Sequence, residues 1–262
     1  MRPATNQYFS PARFGRLFAR HTAEYLPGYL MMAAVGGGAM LLILGFITFI
    51  QKSAPSLSVQ TIFFILFLLI GGSVFASTVF SQFGERRRAT VALLLPASHL
   101  EKYLVAWLYA VPLFLLLFVP LFYLVTAAVV HVGAAPGQVP ELLNLWQNRQ
   151  DMVGIFWFFT LLGALGLWGS IYFEKAQFIK TAFGVFVLLG MLSAINFQVV
   201  KGLISPNLRY GPPFAGLSLV EGGQQYGLAL ADDQLPWLSV LPLALAALLW
   251  VGTYFCLTEK QL

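Results

Sequence analysis

The sequence predicts an all-α integral membrane protein with six transmembrane helices. Hydrophobic residues make up 59% of its 262 residues and charged residues only 10%, whereas about a quarter of the residues in a soluble domain are charged. Six apolar runs each have close to the roughly 20 residues that a helix needs to cross the hydrocarbon of a bilayer. Without an internal repeat, we expect a single membrane domain at residues 28–262 after an N-terminal segment at residues 1–27.

The six predicted spans share a complete lack of Asp, Glu, Lys, Arg and His. They are residues 28–50, 59–80, 103–130, 152–173, 181–200 and 236–255. An ionisable group at the centre of a bilayer costs at least about 2.5 kcal/mol and is kept there for a function such as proton relay. A proton-driven carrier is therefore disfavoured, although a sodium site built from backbone carbonyls and hydroxyls would escape this test.

The distribution of basic residues predicts the orientation of the chain. With the N-terminus inside, eleven of the fifteen Lys and Arg residues fall in inner segments, as the positive-inside rule requires. The acidic residues divide evenly, five inside and five outside. Both termini are then cytoplasmic, and the lack of a targeting signal beyond the first span fits a bacterial cytoplasmic membrane.

Other function classes find little in the sequence. The net charge of +5 is spread between apolar runs, so we do not expect nucleic-acid binding. Cys256 is the only cysteine and the three histidines lie in separate segments, so we expect no metal site. No spacing indicates a catalytic nucleophile. We expect no enzymatic activity and no cofactor in this chain.

Residues 1–27 contain a predicted amphipathic helix that begins with Ser10 as its cap and Pro11 at its first position. One face carries Phe14, Leu17 and Phe18, and the other carries Arg13, Arg16 and Arg20. This separation favours a helix lying in the cytoplasmic interface, with its apolar side chains among acyl chains and its arginines at anionic lipid headgroups. The alternative is a basic leader that only sets the orientation.

The third run is longer than needed and contains Pro112 and Pro120, which indicates tilt or kinks. Small residues recur in the first, second and fourth runs and allow helices to approach closely. We favour contacts within one chain over contacts between two copies. Of the two longer outer segments, residues 201–235 contain a weakly apolar stretch that is too short to span; either a re-entrant or surface-lying piece, or a solvated loop, would fit.

Residues 83–102 combine dense positive charge with a helical pattern. Glu85, Arg86, Arg87 and Arg88 open a short helix that Pro96 ends, because proline offers no backbone donor. Ser98 and Glu101 then match a capping box, in which the serine hydroxyl accepts a backbone N–H and the glutamate reaches back to the cap. We interpret this segment as the face shown to a cytoplasmic partner.

The order of these parts resembles the membrane subunit of an ABC-2 type ATP-binding-cassette transporter. In that family an interfacial helix precedes six spans, and a cytoplasmic coupling helix lies between the second and third. The local resemblance rests on Glu85, Arg86 and Thr90, on Leu93, Leu94, Leu95, Pro96 and Ser98, and on Glu101 with Lys102. This pattern is similar to the E-R-x-x-G-T and L-P-x-S common at that loop. Ala89 stands where glycine is usual.

The resemblance implies a permease subunit of an exporter. A second permease copy, identical or related, would complete a pore, and a separate ATPase subunit would bind ATP-Mg. That subunit would dock under residues 85–96, with Arg86, Arg87 and Arg88 making charge-assisted contacts and Leu93, Leu94 and Leu95 seated in an apolar cleft. Two alternatives remain: a non-transporting assembly or regulatory subunit that recruits a soluble cytoplasmic partner, and a carrier that runs on an ion gradient.

Overall fold

The structure, a computed structural model, describes most of the chain. The described residues are 9–79, 98–134, 141–146, 149–173, 176–203, 208–209, 217–221, 224–228 and 235–259. Within them, six helical stretches are long and apolar enough to cross a membrane, as the sequence predicts. By their length and composition, these helices indicate an integral membrane protein.

Seven α-helices, a π-helical turn and three short strands make up the described chain. The first part holds α1 (Pro11–Gln51), α2 (Leu57–Val79), α3 (His99–Leu108), the π turn (Tyr109–Leu113), α4 (Phe114–Gly133) and α5 (Arg149–Tyr172). The second holds α6 (Gln177–Leu203), β1 (Leu208–Arg209), β2 (Leu217–Glu221), β3 (Gln224–Leu228) and α7 (Leu235–Glu259). The third span is the continuous run of α3, the π turn and α4.

Helix α1 runs through the predicted boundary between residues 27 and 28. Pro27 lies inside it and removes one backbone donor without ending the helix. Aromatic rings on both sides of the proline face the same neighbours, since the rings of Tyr25 and Tyr29 lie 6.3 Å apart and Tyr29 contacts Tyr109 of the third span. The predicted interfacial helix and the first predicted span are therefore one helix of 41 residues.

The chain divides into two compact units. The first comprises residues 1–178 with 242–262, and the second comprises Ile179–Leu241. In the second unit an antiparallel sheet has the order β1-β2-β3, with Arg209 opposite Ser218 and Glu221 opposite Gln224. The sequence predicted either a re-entrant or surface-lying piece, or a solvated loop, in this region, so the sheet is a finding that neither alternative anticipated.

In the first unit, α1 packs mainly on α4 and α2 mainly on α5. The residue numbers of contacting pairs increase together along α1 and the third span. Ser10 bonds to Glu101, a Cβ on Gly37 would lie 3.1 Å from Leu121, and Thr48 would lie 2.0 Å from a Cβ on Gly133. The two spans therefore run in the same direction, as the first and third spans of a chain that crosses the membrane at each helix must.

Close contact between α2 and α5 depends on small residues. A Cβ on Gly166 would meet Ala76 at 3.3 Å and Ser77 at 3.4 Å, and one on Gly72 would lie 2.2 Å from Cε2 of Phe159. The prediction that these small residues serve packing within one chain is confirmed for this pair of helices. Stacked and tilted phenylalanine rings fill the space beside them, including Phe114 against Phe159 at 5.6 Å.

Candidate functional site

The candidate site lies where α1 and the third span begin. The sequence-predicted contact residues that precede it, Glu85, Arg86, Arg87, Arg88, Thr90, Leu93, Leu94, Leu95 and Pro96, lie outside the described residues. The chain is described again from Ser98, which occupies the N-cap position of α3. The site can therefore be built from Ser98 onward and from the start of α1.

The predicted capping box is present. The Glu101 backbone N–H donates to the Ser98 hydroxyl at 3.2 Å, and the Ser98 backbone N–H donates to Oε2 of Glu101 at 3.0 Å. Both partners come from a four-residue pattern, so the sequence alone was enough to find them. The third span thus starts at a defined residue with a defined direction.

The second carboxylate oxygen of Glu101 binds the start of α1, which the sequence analysis missed. Oε1 accepts the Ser10 backbone N–H at 2.7 Å and two N–H groups of Arg13, from Nε at 3.3 Å and from Nη2 at 3.1 Å. We call Ser10, Arg13, Ser98 and Glu101 the Glu101 junction. One carboxylate therefore binds the N-cap residues of two helices that are about 90 positions apart.

Burial and charge make the Glu101 junction a firm connection. The Glu101 side chain is fully buried, while 29% of the Arg13 side chain stays exposed. An ion pair in a water-poor setting is stronger than one in water, and a negative charge at two helix N-termini is also favoured by both helix dipoles. The junction therefore resists separation of α1 from α3.

The residues of the predicted amphipathic helix divide between the protein and its surroundings. Arg16 and Arg20 are exposed, and Arg20 forms a loose pair with Glu24 at 3.8 Å. Phe14, Leu17 and Phe18 pack against the hydrophobic core. The structure thus places these apolar side chains against the core of the protein, with Phe18 and Arg13 in contact with the third span, where the sequence had predicted acyl chains and lipid headgroups.

A polar and aromatic cluster continues the contact between α1 and the third span. The buried His21 ring has Nε2 at 2.9 Å from the Tyr29 hydroxyl. The Thr22 hydroxyl donates to the Phe18 carbonyl at 2.8 Å and also contacts the Tyr109 hydroxyl. Because a threonine has only one hydroxyl proton, Tyr109 is the donor in that second contact. Tyr109 is also the first residue of the π turn.

The π turn marks a change in the third span that the prolines help to explain. Pro112 lies inside it, so the backbone donor that a regular helix needs at this position is absent. Single π turns often occur at functional sites and sharp bends. The sequence analysis predicted a kink at this proline, and the structure shows a local change of helix type there.

Gln60, near the start of α2, holds the segment at residues 141–143 in place. Its side chain is fully buried, donates to the Pro55 and Glu141 carbonyls and accepts the Leu143 backbone N–H, each at 2.9 Å. The Tyr123 hydroxyl donates to the Leu143 carbonyl at 2.8 Å. These contacts fix residues 141–143 to the start of α2 and the middle of α4, and we treat them as structural.

The described residues contain no group of three or more His, Cys, Asp or Glu that could hold a metal ion. What the Glu101 junction can do is mechanical: it ties the beginning of the third span to the beginning of the first. Comparison of the chain with protein-family models, with curated proteins and with solved structures gives no match.

Proposed function

We propose that the chain is the membrane subunit of an ATP-driven exporter of the ABC-2 type. A separate ATPase subunit would bind ATP-Mg and dock on the cytoplasmic segment at residues 85–96, and a second permease copy would complete the pore. The residue pattern of that segment and the order of the parts support the proposal. So does the Glu101 junction, which is the observation that carries it.

The Glu101 junction supports the proposal because of its position. Ser98 follows the proposed docking segment directly, and its cap is the residue that also binds α1. A displacement of the docking segment would therefore reach the first and third spans together. A capped helix without the bond to α1 would pass the same displacement to one span only.

Membrane lipid is the second proposed contact of this end of the chain. Arg16 and Arg20 are exposed on α1, and exposed arginines just outside the hydrocarbon attract anionic headgroups. Arg13 is less available for that role because two of its N–H groups bind Glu101. In the proposed orientation these arginines and both termini lie on the cytoplasmic side.

Isolation of the full-length protein from its native host tests the proposal. We expect a nucleotide-binding subunit with a phosphate-binding glycine-rich loop to copurify. Glu85→Arg or Leu94→Asp should abolish that copurification and leave membrane insertion intact. Glu24→Arg provides a matched control, because it reverses an exposed charge on α1 that forms a loose pair with Arg20.

Two outcomes would contradict the proposal. If no nucleotide-binding protein accompanies the wild-type chain, an assembly or regulatory subunit becomes the better account. If the ATPase subunit copurifies equally well with Glu85→Arg, Leu94→Asp and Glu24→Arg, residues 85–96 are not its docking segment.

A further inference from the structure

A cavity of about 950 Å³ opens between α1 and α4 at the ends remote from the Glu101 junction. Gly45, Ala128 and Ala134 line the cavity, and their small side chains leave the space open. The exposed side chains of Phe49 and Val132 flank it. The volume falls near the upper end of the range of about 300–1,000 Å³ for small-molecule sites. We call this space the outer-end groove.

The lining of the outer-end groove is apolar with one charged exception. Thr48 directs its hydroxyl to the Leu44 carbonyl of its own helix at 2.9 Å and lies against Gly133, so its polar group is already satisfied. Among the described residues that line the groove, Lys52 alone carries a charge. Its side chain is exposed, and no described carboxylate forms an ion pair with it.

The backbone of Lys52 is in the left-handed region, with φ of 51° and ψ of 31°. Glycine or asparagine usually occupies such a position at the end of a helix, because a Cβ is strained there. The dipole of α1 favours a cation at this end but does not require it at the strained residue. The one charged side chain among the described groove residues therefore stands on a strained backbone, and such strain often accompanies functional sites.

We propose that the outer-end groove binds one anionic phospholipid of the surrounding membrane. One of its two acyl chains would lie along Gly45 and Ala128, and its phosphate would accept hydrogen bonds from the Lys52 ammonium group. An apolar cavity holds water poorly, and α1 and α4 both belong to helical stretches that are long and apolar enough to cross a membrane. Lysine at the end of such a helix extends to the level of the headgroups. This inference does not depend on the proposed transport function.

Native mass spectrometry of the full-length protein, stripped of lipid and titrated with phosphatidylglycerol or phosphatidylcholine, tests the inference. We expect one phosphatidylglycerol molecule to bind more tightly than phosphatidylcholine. Lys52→Gly removes the charge and relieves the backbone strain, so thermal unfolding should be unchanged or shifted upward. The affinity for phosphatidylglycerol should nevertheless fall about tenfold, to the level of phosphatidylcholine, through loss of one charge-assisted contact.

A second variant tests the groove itself. Gly45→Leu places a side chain in the groove and should weaken the binding of both lipids. Gly36→Leu is the matched control: it lies on the same helix, a Cβ there also meets no atom within 4 Å, and the residue does not line the groove. The inference is overturned if Lys52→Gly binds phosphatidylglycerol within about twofold of the wild type, or if Gly45→Leu and Gly36→Leu bind lipid equally well.

Discussion

Replacing Glu101 with glutamine changes one side chain that holds two helix starts. The four N–H groups that it accepts at 2.7–3.3 Å face two carboxylate oxygens. Glutamine has one oxygen and one NH₂ group, so at least one donor would lose its acceptor. The ion pair with Arg13 would also be lost.

The cost of this change can be estimated from its parts. Hydrogen bonds to a charged group contribute about 1.5–3 kcal/mol each, and breaking a fully buried pair costs about 3–5 kcal/mol. Because 29% of the Arg13 side chain is exposed, water can solvate the guanidinium that remains. We therefore expect Glu101→Gln to lower the free energy of unfolding by about 2–4 kcal/mol.

A double-mutant cycle separates the energy of the Glu101–Arg13 pair from the other effects of replacing Glu101. Glu101→Gln with Arg13→Gln should give a coupling energy of about 1.5–3 kcal/mol. The same helix supplies a comparator, since Arg20 and Glu24 are 3.8 Å apart with about half of each side chain exposed. Their coupling should be about 0.3–0.5 kcal/mol, as in other exposed pairs on one helix.

Reversible unfolding of the full-length protein in mixed detergent micelles, titrated with sodium dodecyl sulfate, measures both cycles. We expect the coupling energy of Glu101 with Arg13 to be clearly larger than that of Arg20 with Glu24. Equal values would show that the Glu101–Arg13 contact is an ordinary surface pair, and the role assigned to the Glu101 junction would have to be abandoned.

Two further substitutions test the packing. Gln60→Leu should lower the free energy of unfolding by about 2–3 kcal/mol and speed amide exchange at Leu143, because buried backbone groups would lose their partners; unchanged exchange would contradict this role of Gln60. Gly72→Ala should cost about 1–3 kcal/mol in thermal or chemical unfolding, because the new methyl group would overlap the buried Phe159 ring. Gly154→Ala on α5 meets open space and should be neutral or gain up to about 1 kcal/mol; similar results at both glycines would refute the close contact.

Features encoded over a few neighbouring residues could be predicted from the sequence. Apolar runs identified six helices that are long enough to span, and the four residues from Ser98 to Glu101 identified a capping box. Both depend on local spacing, which the chain carries into any tertiary arrangement. The small residues around Gly166 likewise predicted close helix contact, although not which helix would be the neighbour.

Long-range contacts could not be predicted in the same way. Arg13 looked like a lipid-facing charge because its partner lies 88 positions away, and no local pattern links the two. Gln60 gave no signal, since its partners are mainly backbone groups of a distant segment. The sheet differs, because a local signal for it exists. In the sequence, Gly222 and Gly223 lie between β2 and β3, and a Gly-Gly dipeptide between short strands is a known hairpin signal. The apolar character of the region drew attention away from that signal.

The shared carboxylate also has a consequence for how the protein is made. The Ser10 side chain makes no capping bond to α1, and the acceptor of the Ser10 backbone N–H is Glu101, which lies 91 residues later in the chain. A chain emerging from the ribosome would therefore insert the first two spans before the start of α1 can bond to Glu101. Synthesis of residue 101, at the start of the third span, supplies that acceptor, so a nascent chain truncated before it should expose the start of α1 to quality-control proteases.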